Sequence, residues 1–104
     1  MAYTIEFSNR AFRKFQSLPR DMQEKLKPYI SNLADDPRPD GTTNMKELSK
    51  TYRLRVGDYR IVYSVFDDKL VVLVLSTTDR QEVYSSKEIS ALSRTLKQWL
   101  SDHR

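Results

Sequence analysis

The feature that most constrains this chain is the stretch over residues 52–63, Tyr-Arg-Leu-Arg-Val-Gly-Asp-Tyr-Arg-Ile-Val-Tyr. Apolar and polar side chains alternate on both sides of Gly57-Asp58, and a glycine-containing dipeptide between two such runs signals a two-residue β-hairpin. With that turn Val56 faces Tyr59, Leu54 faces Ile61 and Tyr52 faces Tyr63, so six apolar or aromatic side chains share one side of the sheet. The other side carries Arg53, Arg55 and Arg60, with Arg55 directly across from Arg60 and their Cβ atoms about 5 Å apart. Like charges so placed oppose sheet formation. They call for solvent, a neighbouring carboxylate such as Glu47 or Glu82, or an anion held between them, and a phosphate matches the planar fork of arginine.

The rest of the chain supplies a setting for this hairpin. Residues 3–7 alternate as a half-buried strand, Ser8 or Asn9 caps a helix, and Ala11, Phe12, Phe15 and Leu18 form one apolar stripe. Pro19 ends that helix and suits the first turn of the next, giving a helical hairpin. Met22, Leu26, Tyr29, Ile30 and Leu33 keep helical spacing over about residues 20–34, with Pro28 inside, which predicts a kink. Residues 35–41, with Pro37 and Pro39, read as a loop. From Met45 the period becomes two, and three strands form a meander with turns at Gly57-Asp58 and Asp67-Asp68-Lys69. Residues 70–75 are apolar on both parities, as in a central strand covered on both faces. From Ser86 onward, Ile89, Leu92, Leu96, Trp99 and Leu100 share one helical stripe. That stripe reads as core packing against the sheet, the alternative being a mobile lid or part of a partner's groove.

With 104 residues the chain is expected to be one domain, residues 1–104. It has no cysteine, which excludes a disulfide framework or a thiolate metal site and suits a reducing compartment, so the cytoplasm is expected. No basic region followed by a long apolar segment opens the chain, and no membrane association is expected. Eighteen lysines and arginines against 14 acids give a net charge of +4, which favours an anionic partner. Placement is more informative. Asp21, Glu24, Asp35, Asp36, Asp67 and Asp68 fall at helix ends and turns, whereas Arg53, Arg55, Arg60 and Arg80 fall on or beside strands. In Thr78-Asp79-Arg80-Gln81-Glu82-Val83-Tyr84, if extended, Arg80, Glu82 and Tyr84 point one way and Val83 points to the core.

Together these residues resemble the RelE-type toxins of the RelE/ParE superfamily. The likeness takes in the strand at residues 3–7, the helical hairpin, Lys46-Glu47-Leu48, the block at 52–63 and the closing Asp79-Arg80-Gln81-Glu82-Val83-Tyr84; the central block is the specific part. The resemblance implies an α+β fold: a mostly antiparallel four- to five-stranded sheet with an N-terminal helical hairpin and a C-terminal helix, helices packed on one side. It also implies a cognate antitoxin that wraps and silences the toxin, and cleavage of messenger RNA in the ribosomal decoding site with no metal or other cofactor. Members resembling this chain use basic residues at the places of Arg53, Arg55, Arg60 and Arg80, and a tyrosine where Tyr84 stands.

The chemistry fits that set, because RNA carries its own nucleophile: the 2′-hydroxyl attacks the adjacent phosphorus, leaving a cyclic phosphate and a 5′-hydroxyl. Arg60 and Arg80 are assigned the phosphate and its developing charge. The best-known members have lysines at the positions of Arg53 and Arg55. Arginine is a poor proton acceptor, so these two are read as substrate clamp and transition-state stabiliser, and Tyr84 as the candidate base. Lys46 and Lys50 are lesser candidates for phosphate contacts, and His103, the one histidine, reads as a tail residue. Two other functions compete: a ParE-like inhibitor of DNA gyrase without nuclease activity, and a basic nucleic-acid-binding module without chemistry.

Overall fold

Local signals at the start of the chain set the first three elements. Alternation forms β1 (Thr4–Phe7), and Ser8 caps α1 (Asn9–Gln16) by accepting a hydrogen bond from the Ala11 amide at 3.1 Å. Pro19 is the N-cap of α2 (Arg20–Asn32), which runs unbroken through Pro28 and buries Leu26 and Ile30 on either side of it. Four strands follow, β2 (Thr42–Asn44), β3 (Thr51–Val56), β4 (Tyr59–Phe66) and β5 (Val71–Thr78), and the chain closes with α3 (Ser86–Asp102). The computed structural model describes residues 2–78 and 86–103. No described helix is long and apolar enough to cross a membrane.

The five strands form one sheet in the order β1-β5-β4-β3-β2, with β1 parallel to β5 and every other pair antiparallel. The α+β class and the mostly antiparallel five-stranded sheet are as expected from the sequence. The strands do not begin at Met45, where the alternation suggested. Residues 45–50 are a turn rather than the start of a strand, and they deliver Met45 and Leu48 to the interior. The short strand β2, Thr-Thr-Asn, precedes that turn and has no apolar alternation of its own. Its pairing with β3 is what makes it a strand.

Side-chain parity divides the interior into two layers. On one face Ala11 and Phe15 of α1 and Leu26, Ile30 and Leu33 of α2 and its C-cap meet Leu54, Val56, Ile61, Tyr63, Val65, Val72 and Val74. On the other face Leu92 and Leu96 of α3 meet Met45, Leu48, Val62, Phe66, Leu73 and Leu75. The helices therefore do not share one side, as the family resemblance implied. The double-parity apolar run of β5 explains why, since each face of that strand needs its own cover. Burying a Val, Leu, Ile or Phe side chain contributes about 1.5–3 kcal/mol, so α3 brings several such contributions to a face that would otherwise be wet. Leu100, which the stripe placed with Leu96, is instead 40% exposed.

A bulge separates the two halves of the β4–β5 pairing. Val62 pairs with Ser76 but Tyr63 pairs with Val74, so Leu75 is the additional residue and the parity of β5 switches there. Beyond the bulge Thr77 pairs with Ile61 and is fully buried, and among the described residues its Oγ1 has no hydrogen-bond partner.

Polar ties hold the loop after α2 to the sheet. The Tyr63 hydroxyl, reaching up from a ring with no exposure, donates to the Pro37 carbonyl at 2.8 Å. Arg38 lies over the Tyr52 ring, 5.3 Å from its centroid, and its Nη2 bonds Asp67 at 2.8 Å. Asp67 also accepts the Tyr3 hydroxyl at 2.5 Å. The Tyr3 bond first, and Arg38 second, hold the Asp67 carboxyl below its ordinary value, while the same bond pushes the Tyr3 phenol up.

Two outcomes follow from this packing. Thr77→Val removes a buried hydroxyl that nothing satisfies and should stabilise the protein by about 1 kcal/mol in urea denaturation. For Asp67 the folded value is the lower one, so its contribution is complete above the ordinary carboxylate value of 3.8 and is lost as pH falls through the depressed value. Asp67→Asn should lower stability at neutral pH and show less further loss between pH 5 and 2 than the parent chain, read from denaturation midpoints across that range.

Candidate functional site

The β3–β4 hairpin has the register that the alternation dictates: Tyr52 with Tyr63, Leu54 with Ile61, Arg55 with Arg60 and Val56 with Tyr59. Gly57 takes the first turn position with φ +59°, a backbone conformation that side-chain-bearing residues rarely adopt. Tyr52, Leu54, Val56, Tyr59, Ile61 and Tyr63 all join the layer beneath α1 and α2. By strand alternation Arg53, Arg55 and Arg60 face the other way, onto the side that α3 partly covers. Arg53 pairs with Val62, whose side chain belongs to the α3 layer, so the arginines continue that face outward from its apolar floor toward the turn.

Arg55 is exposed and its Nε makes a long contact, 3.4 Å, with the carbonyl of Gly57 in its own turn. Arg53 and Arg60 are half-buried. Among the described residues no carboxylate lies within 4.0 Å of Arg53 or Arg55, and exposed Glu47, a possible partner in the sequence, forms no such pair. Two opposed guanidinium groups, with a third two residues along β3, can therefore receive a dianionic or bridging oxyanion with bidentate hydrogen bonds.

The other candidates are placed differently. Lys46 is exposed in the turn between β2 and β3. Lys50 stands just before β3, five residues and thus about 17 Å along an extended chain from Arg55. It lines a separate cleft of about 350 Å³ with Lys69, Lys97 and Phe66. Arg80, Glu82, Val83 and Tyr84 lie outside the described residues; Thr78, the last described residue of β5, pairs with Arg60. Among the described residues no group of three or more His, Cys, Asp or Glu side chains is gathered to hold a metal ion.

Two features were not visible in the sequence. Arg38, in a loop, becomes the cation that joins Tyr52 and Asp67, which only the fold brings together. His103 is not a loose tail residue. Its ring stacks on Trp99 with centroids 4.0 Å apart, its Nδ1 bonds the Trp99 carbonyl at 2.8 Å, and its Nε2 lies 3.6 Å from Glu6 on β1.

Comparison with known proteins bears on the family and the fold. A family model described as the ParE toxin of a type II toxin-antitoxin system, parDE, matches residues 5–84. The chain is 35% identical over 89 residues to the mRNA interferase toxin RelE of Escherichia coli (strain K12), covering 82% of this chain and 93% of that protein. It is 29% identical over 85 residues to toxin RelG of Mycobacterium tuberculosis, covering 81% and 98%. Among solved structures, it resembles a chain of the intact E. coli RelBE toxin-antitoxin complex with a TM-score of 0.68, 28% identity and coverage of 79% and 100%. A chain of the archaeal RelE-RelB complex from Pyrococcus horikoshii OT3 gives a TM-score of 0.69, 25% identity and coverage of 80% and 100%.

The Arg55–Arg60 pair should cost stability. Arg55→Thr is expected to stabilise the hairpin by about 0.2–1 kcal/mol at low salt, with the gain shrinking at high salt, when urea unfolding is followed at both ionic strengths. Equal stability of the two chains at low salt would show that the guanidinium groups do not oppose each other.

Proposed function

Because the chain belongs to the ParE-type toxin family of type II toxin-antitoxin systems, we propose that it is the toxin of such a pair and an endoribonuclease of the RelE kind, acting in the cytoplasm on messenger RNA at the ribosome. The observation that carries this reading is Arg55 set across from Arg60 on a face with Arg53 and, among the described residues, no carboxylate close to Arg53 or Arg55. A face built at that electrostatic cost suits a phosphodiester. The relative with the highest identity given above is an mRNA interferase, and the similar E. coli RelBE chain comes from a toxin-antitoxin complex, so a cognate antitoxin is the proposed protein partner.

In the proposed reaction the 2′-hydroxyl oxygen attacks the neighbouring phosphorus as the bond to the 5′-oxygen breaks. The products are a 2′,3′-cyclic phosphate and a free 5′-hydroxyl. Arg53 and Arg55 clamp the phosphate and hold it for in-line attack. Arg60 and Arg80 neutralise charge building on its equatorial oxygens, which is where preorganised donors are worth most. Tyr84, as phenolate among guanidinium groups, takes the 2′-hydroxyl proton, and the leaving oxygen is protonated by water. Arginine keeps its proton throughout, so the basic face positions and stabilises but does not accept the proton. Lys46 and Lys50 are assigned to flanking phosphates along the message.

The ParE description of the matching family favours a second reading, inhibition of DNA gyrase without nuclease activity. Product chemistry separates the two. Added to a translating extract, the purified protein should create new 5′-hydroxyl ends in the message, while leaving gyrase supercoiling intact. Arg60→Ala, Arg80→Ala and Tyr84→Phe should each slow the appearance of those ends by about 100- to 1,000-fold. An uncut message with the unmutated protein, or blocked supercoiling, would reject the nuclease.

A further inference from the structure

At the free edge of the sheet, beside β1, a cleft of about 610 Å³ opens between the start of α1 and the end of α3. Arg10 and Arg13 line it from α1, Arg94 from α3, and Trp99 and His103 are part of its wall. None of these three arginines has a carboxylate within 4.0 Å among the described residues. The acids that share the cleft are engaged elsewhere. Glu6 accepts the Trp99 indole N–H at 3.2 Å and lies 3.6 Å from His103, and Asp102 accepts from the Gln98 amide at 3.2 and 3.3 Å. Arg10 also stands in the first turn of α1, where a positive charge opposes the helix dipole and no acidic residue compensates.

The aromatic wall has a definite geometry. Phe66 and His103 both lie nearly parallel to the Trp99 indole, at 4.8 and 4.0 Å between centroids and 11° and 14° between planes. Two rings that close and that parallel to one indole occupy its opposite faces. The stack thus begins with buried Phe66 and ends with His103, whose side chain is 42% exposed. A chain of rings ending at the surface, beside three guanidinium groups without acidic partners among the described residues, combines the two elements that recognise unpaired nucleotides: a face for the base and donors for the phosphates.

We propose that this cleft binds single-stranded RNA, an unpaired base extending the Phe66–Trp99–His103 stack while Arg10, Arg13 and Arg94 hold the adjoining phosphates. The inference rests on the reading that the substrate is RNA, and it adds a second holding point for that strand, distinct from the Arg53, Arg55 and Arg60 face. Asn9 and Gln98, which also line the cleft, supply neutral donors and acceptors for sugar hydroxyls.

Trp99 is the one tryptophan of the chain and lines this cleft, so its fluorescence reports on binding there. The probe is a short 2′-O-methyl oligoribonucleotide, which lacks the attacking hydroxyl and is not cut. It should quench Trp99 saturably. The double variant Arg10→Glu/Arg13→Glu, and separately Arg94→Glu, should weaken binding roughly tenfold or more, the scale of one or two lost charge-assisted contacts. His103→Ala should weaken the oligonucleotide but not an abasic strand of equal charge. The double variant Arg53→Ala/Arg60→Ala should still quench. All the cleft side chains to be changed are exposed, and thermal midpoints near the parent's confirm that each variant is folded. Quenching indifferent to the charge reversals, lost only in the Arg53/Arg60 variant, or matched by polyglutamate at equal charge would overturn the proposal. Binding is read without cleavage, so an inactive enzyme would leave this result standing, and an empty cleft would leave the cleavage assay standing.

Discussion

Six side chains, Tyr52, Leu54, Val56, Tyr59, Ile61 and Tyr63, hold the β3–β4 hairpin in one register, and the rest of the structure depends on that register. A slip of one residue along either strand would send all of that strand's apolar groups to the opposite face. Gly57 makes the two-residue turn possible, and the layer formed by α1 and α2 makes the register worth keeping. The opposition of Arg55 and Arg60 is then a geometric consequence. Neither backbone position can move away from the other without the hairpin giving up its buried side, so a core built for stability holds two like charges opposite each other.

The second layer turns that arrangement into a site with a border. Helix α3 covers Val62, Phe66, Leu73 and Leu75, and the arginines take the part of the same face nearest the turn. The bulge at Leu75 adds to this division. It lets β5 present Leu73 and Leu75 to α3 and then place Ser76 opposite Val62, so that one strand serves an apolar floor and, farther along, the pairing with Arg60. A regular strand would have kept the parity of residues 71–75 and turned Thr77 out of the layer it now occupies.

What could be read from the sequence was what local physics decides. Period-two alternation and a glycine turn gave the hairpin partners residue by residue, Ser8 was one of two candidate caps, and the helical stripe found Leu92, Leu96 and Trp99. Features created by pairing at a distance were not readable. The polar strand β2 exists because β3 offers it an edge. The bulge has no signature in Leu75-Ser76-Thr77, and the face taken by α3 follows from the need to cover β5, not from the helix itself. Arg10, Arg13 and Arg94 look like ordinary solvated arginines until β1 brings the two ends of the chain side by side. Arg80 and Tyr84, which complete the sequence-based site, fall outside the described residues.

The pairing of β1 with β5 has a consequence for how the molecule comes into being. Strand β1 waits for β5, and Glu6 meets Trp99 across a sequence separation of 93 residues. Until β5 is complete, a nascent chain carries β1 without a neighbour and the helical hairpin with much of its apolar surface unmatched. Contacts this far apart in sequence make folding late and collective, not stepwise. Closure of the sheet therefore waits until β5 has been synthesised, and shorter products have no finished sheet to display.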